Sequence, residues 1–337
     1  MSSTKVAVIT GANSGVGFGT AQRLLQHSEN NPTERIKLVL ACRNPTRAAN
    51  ARSALLKKHP KSDIDIVIVD VSLVKSVLAC CAELKKKYRK VNWLFCNAGI
   101  LACDYVDFGI ACKELIVNPK RLLTETRCVI QPKGCITSEG LGETFACNIF
   151  GHYVMIHELE DLLAASEEAR IIWTGSSTSA KGYYNAQDYQ GLISKFPYEA
   201  SKYMADLIAI ALNSRMNYRN IYTFVTHPGV VATDIMKDHL NWFMAKAMHT
   251  ALYMSRFLGV NEQTVTSWNG SFSNYYVATS KPTESLKLTV KYGSYIKPWG
   301  TIYVHEDPMD YYDEKEAQDL LNKLDALLAE FLIKYRS

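Results

Sequence analysis

Short apolar runs alternate with helical periods along the first hundred residues. Lys5–Thr10, Ile36–Arg43, Ile64–Val71 and Val91–Asn97 read as strands, with helices at Phe18–Gln26, Thr46–Lys58 and Ser76–Tyr88 between them. The strands are apolar at nearly every position rather than at every second one, as in a sheet buried on both faces. After Thr137 the pattern resumes: Gly140–Ala165 is a long helix, Arg170–Gly175 a strand, Tyr198–Tyr218 a helix and Ile221–Thr226 a strand. A late strand at Thr301–His305 and an amphipathic helix at Asp313–Tyr335 follow. This alternation predicts an α/β fold, a doubly wound parallel sheet with right-handed crossovers. No internal repeat or low-complexity linker divides it, so one elaborated domain over 1–337 is expected.

Length changes that picture. At 337 residues the chain outruns a long single α/β domain of ~250. Asn97 and Asn148 stand 51 positions apart, which leaves room for an insertion at Leu101–Thr137. Its stretch Cys112–Pro119 is apolar enough to pack over the carboxyl edge of the sheet. A second surplus lies beyond Thr233, as a cap over 234–300. There Asn241–Val260 is strongly apolar, yet Lys246, His249 and Arg256 disfavour a spanning helix. A helix lying on a bilayer or lining a lipid pocket fits, and so does an ordinary buried cap helix. Gly182–Pro197 is a third addition. By the strand order, all three should lie on the substrate side.

A hydrophobic share of 47% and a charged share of 21% exclude disorder and coiled coil. No run of about 18 uncharged apolar residues exists, which excludes a multi-pass membrane protein. The net charge of +5 is mild, so no nucleic-acid partner is expected. The basic cluster Lys85, Lys86, Lys87, Arg89 and Lys90 suits the negative end of a helix dipole, with contact to anionic lipid or a partner as the alternative. Nine cysteines contain no C-x-x-C pair, and Cys42 and Cys96 fall inside apolar strands. Reduced, buried thiols are expected, with no metal site. MSSTKVAVIT runs directly into a strand, so no signal peptide is expected and the Asn269-Gly270-Ser271 sequon is read as chance.

The candidate chemistry sits at strand ends. Strand one leads into Thr10-Gly11-Ala12-Asn13-Ser14-Gly15-Val16-Gly17 and then a helix. Glycines there let the backbone approach a pyrophosphate and pass it to the helix N-terminus. Strand two ends in Ala41-Cys42-Arg43-Asn44, without the acid that holds a ribose hydroxyl in NAD sites. Arg43 can instead pair with a 2′-phosphate, which favours NADP(H); the alternative is that Arg43 only begins the next helix. Tyr198-Glu199-Ala200-Ser201-Lys202 puts Tyr198 and Lys202 on one helix face. A phenol has a pKa near ~10, and a nearby ammonium lowers it, so Tyr198 becomes a usable acid or base.

The G-x-x-x-G-x-G loop, Asn97-Ala98-Gly99 and Y-x-x-x-K, in this order, resemble the short-chain dehydrogenase/reductase family. The resemblance implies that Gly11, Asn13, Ser14, Gly15, Val16 and Gly17 line the cofactor, with Asp70 near the adenine and Asn97 beside the site. It implies that Lys202 also holds the nicotinamide ribose, and that Thr233, in a P-G-x-x-x-T after Pro228-Gly229, holds the carboxamide side. It places a catalytic serine at Ser176, with Ser177 one residue off and not excluded. Asn148 matches the family's asparagine that holds a proton-relay water; internal stabilisation of its helix is the alternative. Ser176 and Tyr198 are 22 positions apart, wider than the family's usual spacing, so Gly182–Pro197 should form an enlarged loop. His227 reads as a packing or turn residue.

Further segments narrow the resemblance. T-G-A-N-S-G-V-G with A-C-R-N, N-I-F-G-H-Y-V-M-I-H-E-L-E from Asn148, I-I-W-T, and V-K-Y-G-S at Val290–Ser294 are similar to the sterol 3-keto reductases. These are the fungal ergosterol-pathway enzymes and their vertebrate relatives, the type 7 17β-hydroxysteroid dehydrogenases. That implies NADPH-dependent reduction of a 4-methyl-3-keto sterol to the 3β-alcohol in C-4 demethylation. It also implies a cytosol-facing place on the endoplasmic reticulum or lipid droplets, and a complex with the C-4 methyl oxidase and C-3 decarboxylase. A retinal or general lipid-carbonyl reductase, and a non-catalytic NADP-binding scaffold, are the other readings.

Overall fold

Side chains of the central strands alternate between two apolar cores. In β1 (Lys5–Thr10), Val6 and Val8 enter one core and Ala7 and Ile9 the other. In β2 (Ile36–Cys42), Val39 and Ala41 oppose Leu38 and Leu40. This two-sided burial is why the strands read as unbroken apolar runs. The computed structural model describes residues 4–118, 127–231, 250, 252–257, 259–280 and 285–336.

Among them the strands are β3 (Asp63–Ile68), β4 (Trp93–Cys96), β5 (Tyr105–Val106), β6 (Val129–Ile130), β7 (Ala169–Thr174), β8 (Ile221–His227), β9 (Val290–Ile296) and β10 (Ile302–Pro308). The longer helices are α1 (Gly15–Asn30), α2 (Pro45–Lys58), α3 (Val74–Lys87), α4 (Phe108–Val117), α5 (Gly151–Ala164), α6 (Pro197–Met216), α7 (Phe272–Thr279) and α8 (Glu314–Arg336). The main sheet has eight strands in the order β10-β9-β8-β7-β4-β1-β2-β3. The pairings from β3 through β9 are parallel, and the edge strand β10 is antiparallel to β9. Helices α1, α2 and α7 cover one face. Helices α3, α5, α6 and α8 cover the other. The expected doubly wound parallel sheet is therefore present, and its order reverses between β1 and β4, where such folds bind ligands.

Two elements differ from the expectation. The long helix begins at Glu143 rather than Gly140, and a π turn, Ala146–Phe150, interrupts it before α5. Gly140 has φ +88°, which ends the preceding turn and keeps it out of the helix. Strand β9 was hidden by Lys291 and Gly293, which interrupt its apolar run. Lys291 is buried against Asp206, and a Cβ on Gly293 would lie 2.2 Å from His227 Nε2, so packing dictates both residues.

Two of the surplus segments are tied to each other. In the insertion, β5 and β6 form a separate antiparallel ribbon. Of the stretch Cys112–Pro119, expected to pack over the sheet, Cys112 and Val117 are exposed and Glu114 is buried, while Pro119 lies outside the described residues. The backbone N–H groups of Asp104 and Asp107, just before α4, donate to the carbonyls of Ile130 and Cys128 and hold the ribbon together. Gly182–Pro197 does form an enlarged loop, whose Asp188 carboxylate accepts the N–H groups of Leu192, Ile193 and Ser194. Leu192 in turn accepts from Gly134 of the insertion. Thr233, Lys246, His249 and most of Asn241–Val260 lie outside the described residues. Arg256 is buried and donates to the carbonyls of Gln263 and Thr264. All nine cysteines are free thiols; five are buried, while Cys112 and Cys135 are exposed. Lys85 and Lys87 pair with Glu158 and Glu83 at the solvated end of α3.

Candidate active site

The site is built on the carboxyl ends of β1, β4, β7 and β8. Gly11 follows β1 with φ +67°, and a Cβ there would meet Ala98 at 3.1–3.2 Å. A Cβ on Gly17 would lie 2.5 Å from Asn97 Nδ2 and 2.6 Å from the Gly11 carbonyl. The loop can therefore close onto the Asn97 turn only with glycine at these positions. Ser14 is the N-cap of α1 but makes no side-chain cap bond. The first-turn amides of α1, which begin at Gly15, Val16 and Gly17, have no intrahelical partner and are open donors for a phosphate. A close-walled cradle with free amides fits a dinucleotide pyrophosphate.

One threonine holds the adjoining turn. Thr10 Oγ1 accepts from the N–H groups of Asn97 and Ala98, 2.9 Å each, and donates to the Phe95 carbonyl at 3.0 Å. Asn97 Nδ2 donates back to the Thr10 carbonyl at 2.9 Å. Arg43 is at the end of β2, before Asn44, whose side chain caps α2. Arg43 therefore does not begin that helix. Its side chain is 75% exposed and 3.8 Å from Asp70, which accepts from Ser72. The pair follows the carboxyl ends of β2 and β3, next in the sheet to β1 and its glycine loop, and the exposed Arg43 guanidinium is available to an anion.

The structure brings Tyr198, Lys202, Ser176 and Asn148 together. Ser176 hydrogen-bonds the Tyr198 hydroxyl, whereas Ser177 is exposed, so Ser176 is the serine that faces the tyrosine. Ser176 Oγ also lies 2.9 Å from Thr178 Oγ1. Lys202 Nζ donates to the Thr174 carbonyl at 2.7 Å and sits 5.5 Å from the Tyr198 ring centroid. Asn148 is on the π turn. Its Oδ1 accepts from Ile100 N–H at 2.8 Å, and its Nδ2 donates to Ser201 Oγ at 2.9 Å and the Ile100 carbonyl at 3.1 Å. The amide thus braces the turn after β4 against α6 rather than stabilising its own helix.

One electrostatic expectation is corrected. Burial pushes Tyr198 up to about 12, and the Ser176 hydrogen bond opposes that rise. Burial also lowers Lys202 to about 8. Lys202 Nζ bonds the Thr174 carbonyl, and burial of the phenol outweighs the stabilisation that its charge offers the phenolate. Tyr198 is consequently a protonated hydroxyl at neutral pH.

His227 is a turn residue, as expected. Its Nδ1 accepts from Gly229 N–H at 3.2 Å, which leaves the proton on Nε2 facing Asp307 at 2.6 Å. Several buried partners were not singled out from sequence. Asn274 donates to Thr20 and Thr174 at 3.2 and 3.3 Å, linking α7 to the strand end that carries Ser176. Gln131 of the insertion accepts from Tyr198 N–H at 3.0 Å and donates to Glu199 at 2.8 Å, anchoring the ribbon on the start of α6. Nothing in the local pattern marks Asn274 or Gln131. Asp206 was findable, because it stands one helical turn after Lys202.

A family profile described as short chain dehydrogenase matches residues 5–117 and 130–242. The chain is 34% identical over 326 residues to the Homo sapiens protein named 3-keto-steroid reductase/17-beta-hydroxysteroid dehydrogenase 7, covering 95% of this chain and 92% of that one. It is 31% identical over 316 residues to the 3-keto-steroid reductase of Kluyveromyces lactis, covering 92% and 90%. Among solved structures, L-sorbose reductase from Gluconobacter frateurii aligns with a TM-score of 0.59 at 17% identity, over 88% of this chain and 96% of that one.

Proposed function

Because the chain belongs to the short-chain dehydrogenase family, we propose that it is an NADPH-dependent reductase of the 3-keto group of a sterol, with one reductase domain carrying its own cap. The convergence of Tyr198, Ser176 and Lys202 beside the glycine cradle carries the reading. The names of relatives aligned along nearly the whole chain support the sterol.

NADPH, when bound, supplies the hydride that adds to the ketone carbon. Gly11, Asn13, Ser14, Gly15, Val16 and Gly17 would line it, Arg43 would pair with its 2′-phosphate, Asp70 would stand near its adenine, Asn97 beside the site and Thr233 at its carboxamide side. Ser176 and Tyr198 donate hydrogen bonds to the ketone oxygen, and Tyr198 transfers its proton as negative charge develops there. The Lys202 ammonium stabilises the phenolate left behind and contacts the nicotinamide ribose. Asn148 braces Ile100 and Ser201 around that lysine and belongs to the path that resupplies the proton.

The test is NADPH oxidation by detergent-dispersed protein with a 4α-methyl-3-keto sterol, retinal and small ketones. Preference for the sterol is expected. Preference for retinal overturns the substrate and leaves the chemistry standing.

Lys202 gives the reaction a pH signature. It is cationic below about 8 and neutral above. The kcat for reduction should therefore fall as pH rises through about 8. A reductive profile flat from about pH 7 to about 9.5 removes Lys202 from the mechanism.

We extend the proposal to peripheral contact with a lipid surface. No helix among the described residues is long and apolar enough to cross a membrane. Yet Phe257 is 56% exposed and Trp299 88%, with their rings edge-on at 5.7 Å, and Tyr253 and Met254 are exposed nearby in sequence. Aromatic side chains of this kind settle at the headgroup level. The double variant Phe257→Ser/Trp299→Ser should bind phosphatidylcholine vesicles about 10²–10⁴-fold more weakly, at ~1.5–3 kcal/mol for each of the two side chains. Turnover of a water-soluble ketone should be unchanged; unchanged vesicle flotation sinks the contact. The endoplasmic reticulum or lipid droplet, on the cytosolic side, and a complex with the C-4 methyl oxidase and C-3 decarboxylase complete the proposal.

A further inference from the structure

We propose that Lys291 of β9 and Asp206 of α6 form a positioning pair that holds the Ser176–Ser179 turn in its working conformation. This rests on the reading of Ser176 and Tyr198 given above. The register explains how the pair meets. Lys291 lies opposite Val225 in β8, and β8 adjoins the strand that delivers Ser176. Lys291 Nζ donates to the Ser176 carbonyl at 3.1 Å, to Asp206 Oδ2 at 2.8 Å, and to Ser179 Oγ. Asp206 Oδ2 also accepts from Ser179 Oγ and from the Tyr311 hydroxyl, 2.7 Å each.

Two lysines thus clamp one turn. Lys202 takes the Thr174 carbonyl and Lys291 the Ser176 carbonyl, so the serine is held from both sides. Asp206, one helical turn after Lys202, anchors the second clamp. Both charges are buried, with side-chain exposures of 5% and 1%. Asp206 Oδ1 has no hydrogen-bond partner, and a Cβ on Gly175 would lie 3.6 Å from it. A buried ion pair that leaves an oxygen unsatisfied is a poor stabilising device compared with apolar packing. Its geometry does serve the turn, which has no regular secondary structure of its own to fix it.

The pair also shapes the field at Lys202. The groups around that ammonium are Cys147 from the π turn, Tyr198 and Asp206 on its own helix, and Lys291 from β9. His152 of α5 is neutral, because burial lowers it to about 3. Asp206 favours the charged lysine and Lys291 disfavours it. Removing one or the other should shift the alkaline limb in opposite directions, which a purely structural role would not do.

The experiment compares Lys291→Met, Asp206→Asn, Ser179→Ala and the double variant Asp206→Leu/Lys291→Met with the unmodified chain and with Tyr198→Phe. Each single charge variant should lose kcat on the order of 10–100-fold, the usual result of a small misplacement of a reacting group. KM for NADPH should hold, since the Gly11–Gly17 cradle is untouched. The limb near about 8 should move down in Asp206→Asn and up in Lys291→Met. The double variant should recover the melting temperature of the unmodified chain and keep the loss of kcat. Ser179→Ala keeps both charges and should lose kcat severalfold, so it reports even where a charge variant does not fold. Unmodified kcat in the double variant or in Ser179→Ala, or a limb unmoved in both singles, overturns the pair. Unmodified turnover in Tyr198→Phe would instead overturn the reading of the site itself.

Discussion

Tyr198→Phe is expected to lower kcat for ketone reduction by about 10²–10⁴-fold, the range that general acid catalysis contributes. KM for NADPH should change far less, because the glycine cradle does not depend on the phenol. The variant should also fold. The ring keeps its packing, and Ser176 retains Thr178 as a partner 2.9 Å away, so no buried hydroxyl is orphaned. Burial holds Tyr198 up to about 12, so the residue arrives protonated, and release of its proton depends on the Lys202 ammonium stabilising the phenolate. Stopped-flow NADPH oxidation at saturating sterol reads the effect. Lost turnover with retained assembly of a partner complex would show catalysis and scaffolding as separate roles. Unchanged turnover removes Tyr198 as the acid.

The second large effect is expected at Arg43. Its exposed guanidinium follows the end of β2, with Asp70 at 3.8 Å and α2 already capped by Asn44. It is thus available to a 2′-phosphate. A charge-assisted hydrogen bond is worth ~1.5–3 kcal/mol, so Arg43→Asp should raise KM for NADPH by about 10–100-fold. KM for NADH should fall at the same time, since a carboxylate there can accept from the ribose hydroxyl. Paired steady-state titrations with the two cofactors decide it. Unchanged preference would move the 2′-phosphate to another cation, with Arg47 in the first turn of α2 the next to test.

Where sequence reading succeeded, the signal was local. Gly11 and Gly17 are legible because a backbone turn and a close approach each demand glycine within a few residues of the strand. Tyr198 and Lys202 are legible because a helix of fixed pitch puts i and i+4 on one face. Where it failed, the cause was distant in the chain. Lys291 and Gly293 look wrong for a central strand until Asp206 and His227 are placed beside them. Cys112 and Val117 are apolar yet exposed on α4, which their own residue types do not foretell. Helix pitch gives Tyr198 and Lys202 a shared face but says nothing of how deeply the phenol is buried, and that burial sets the direction of its shift.

The sequence by itself therefore determined the doubly wound sheet, the glycine cradle and the Tyr198–Lys202 face, since each follows from periodicity or backbone sterics over a few neighbouring residues. Only the tertiary structure chose Ser176 over Ser177, made Asn148 a brace, joined Gln131 to the start of α6, and set Lys291 on Asp206. Those choices depend on which chain-distant polar groups share one buried space, and burial makes their pairing obligatory without leaving a local pattern.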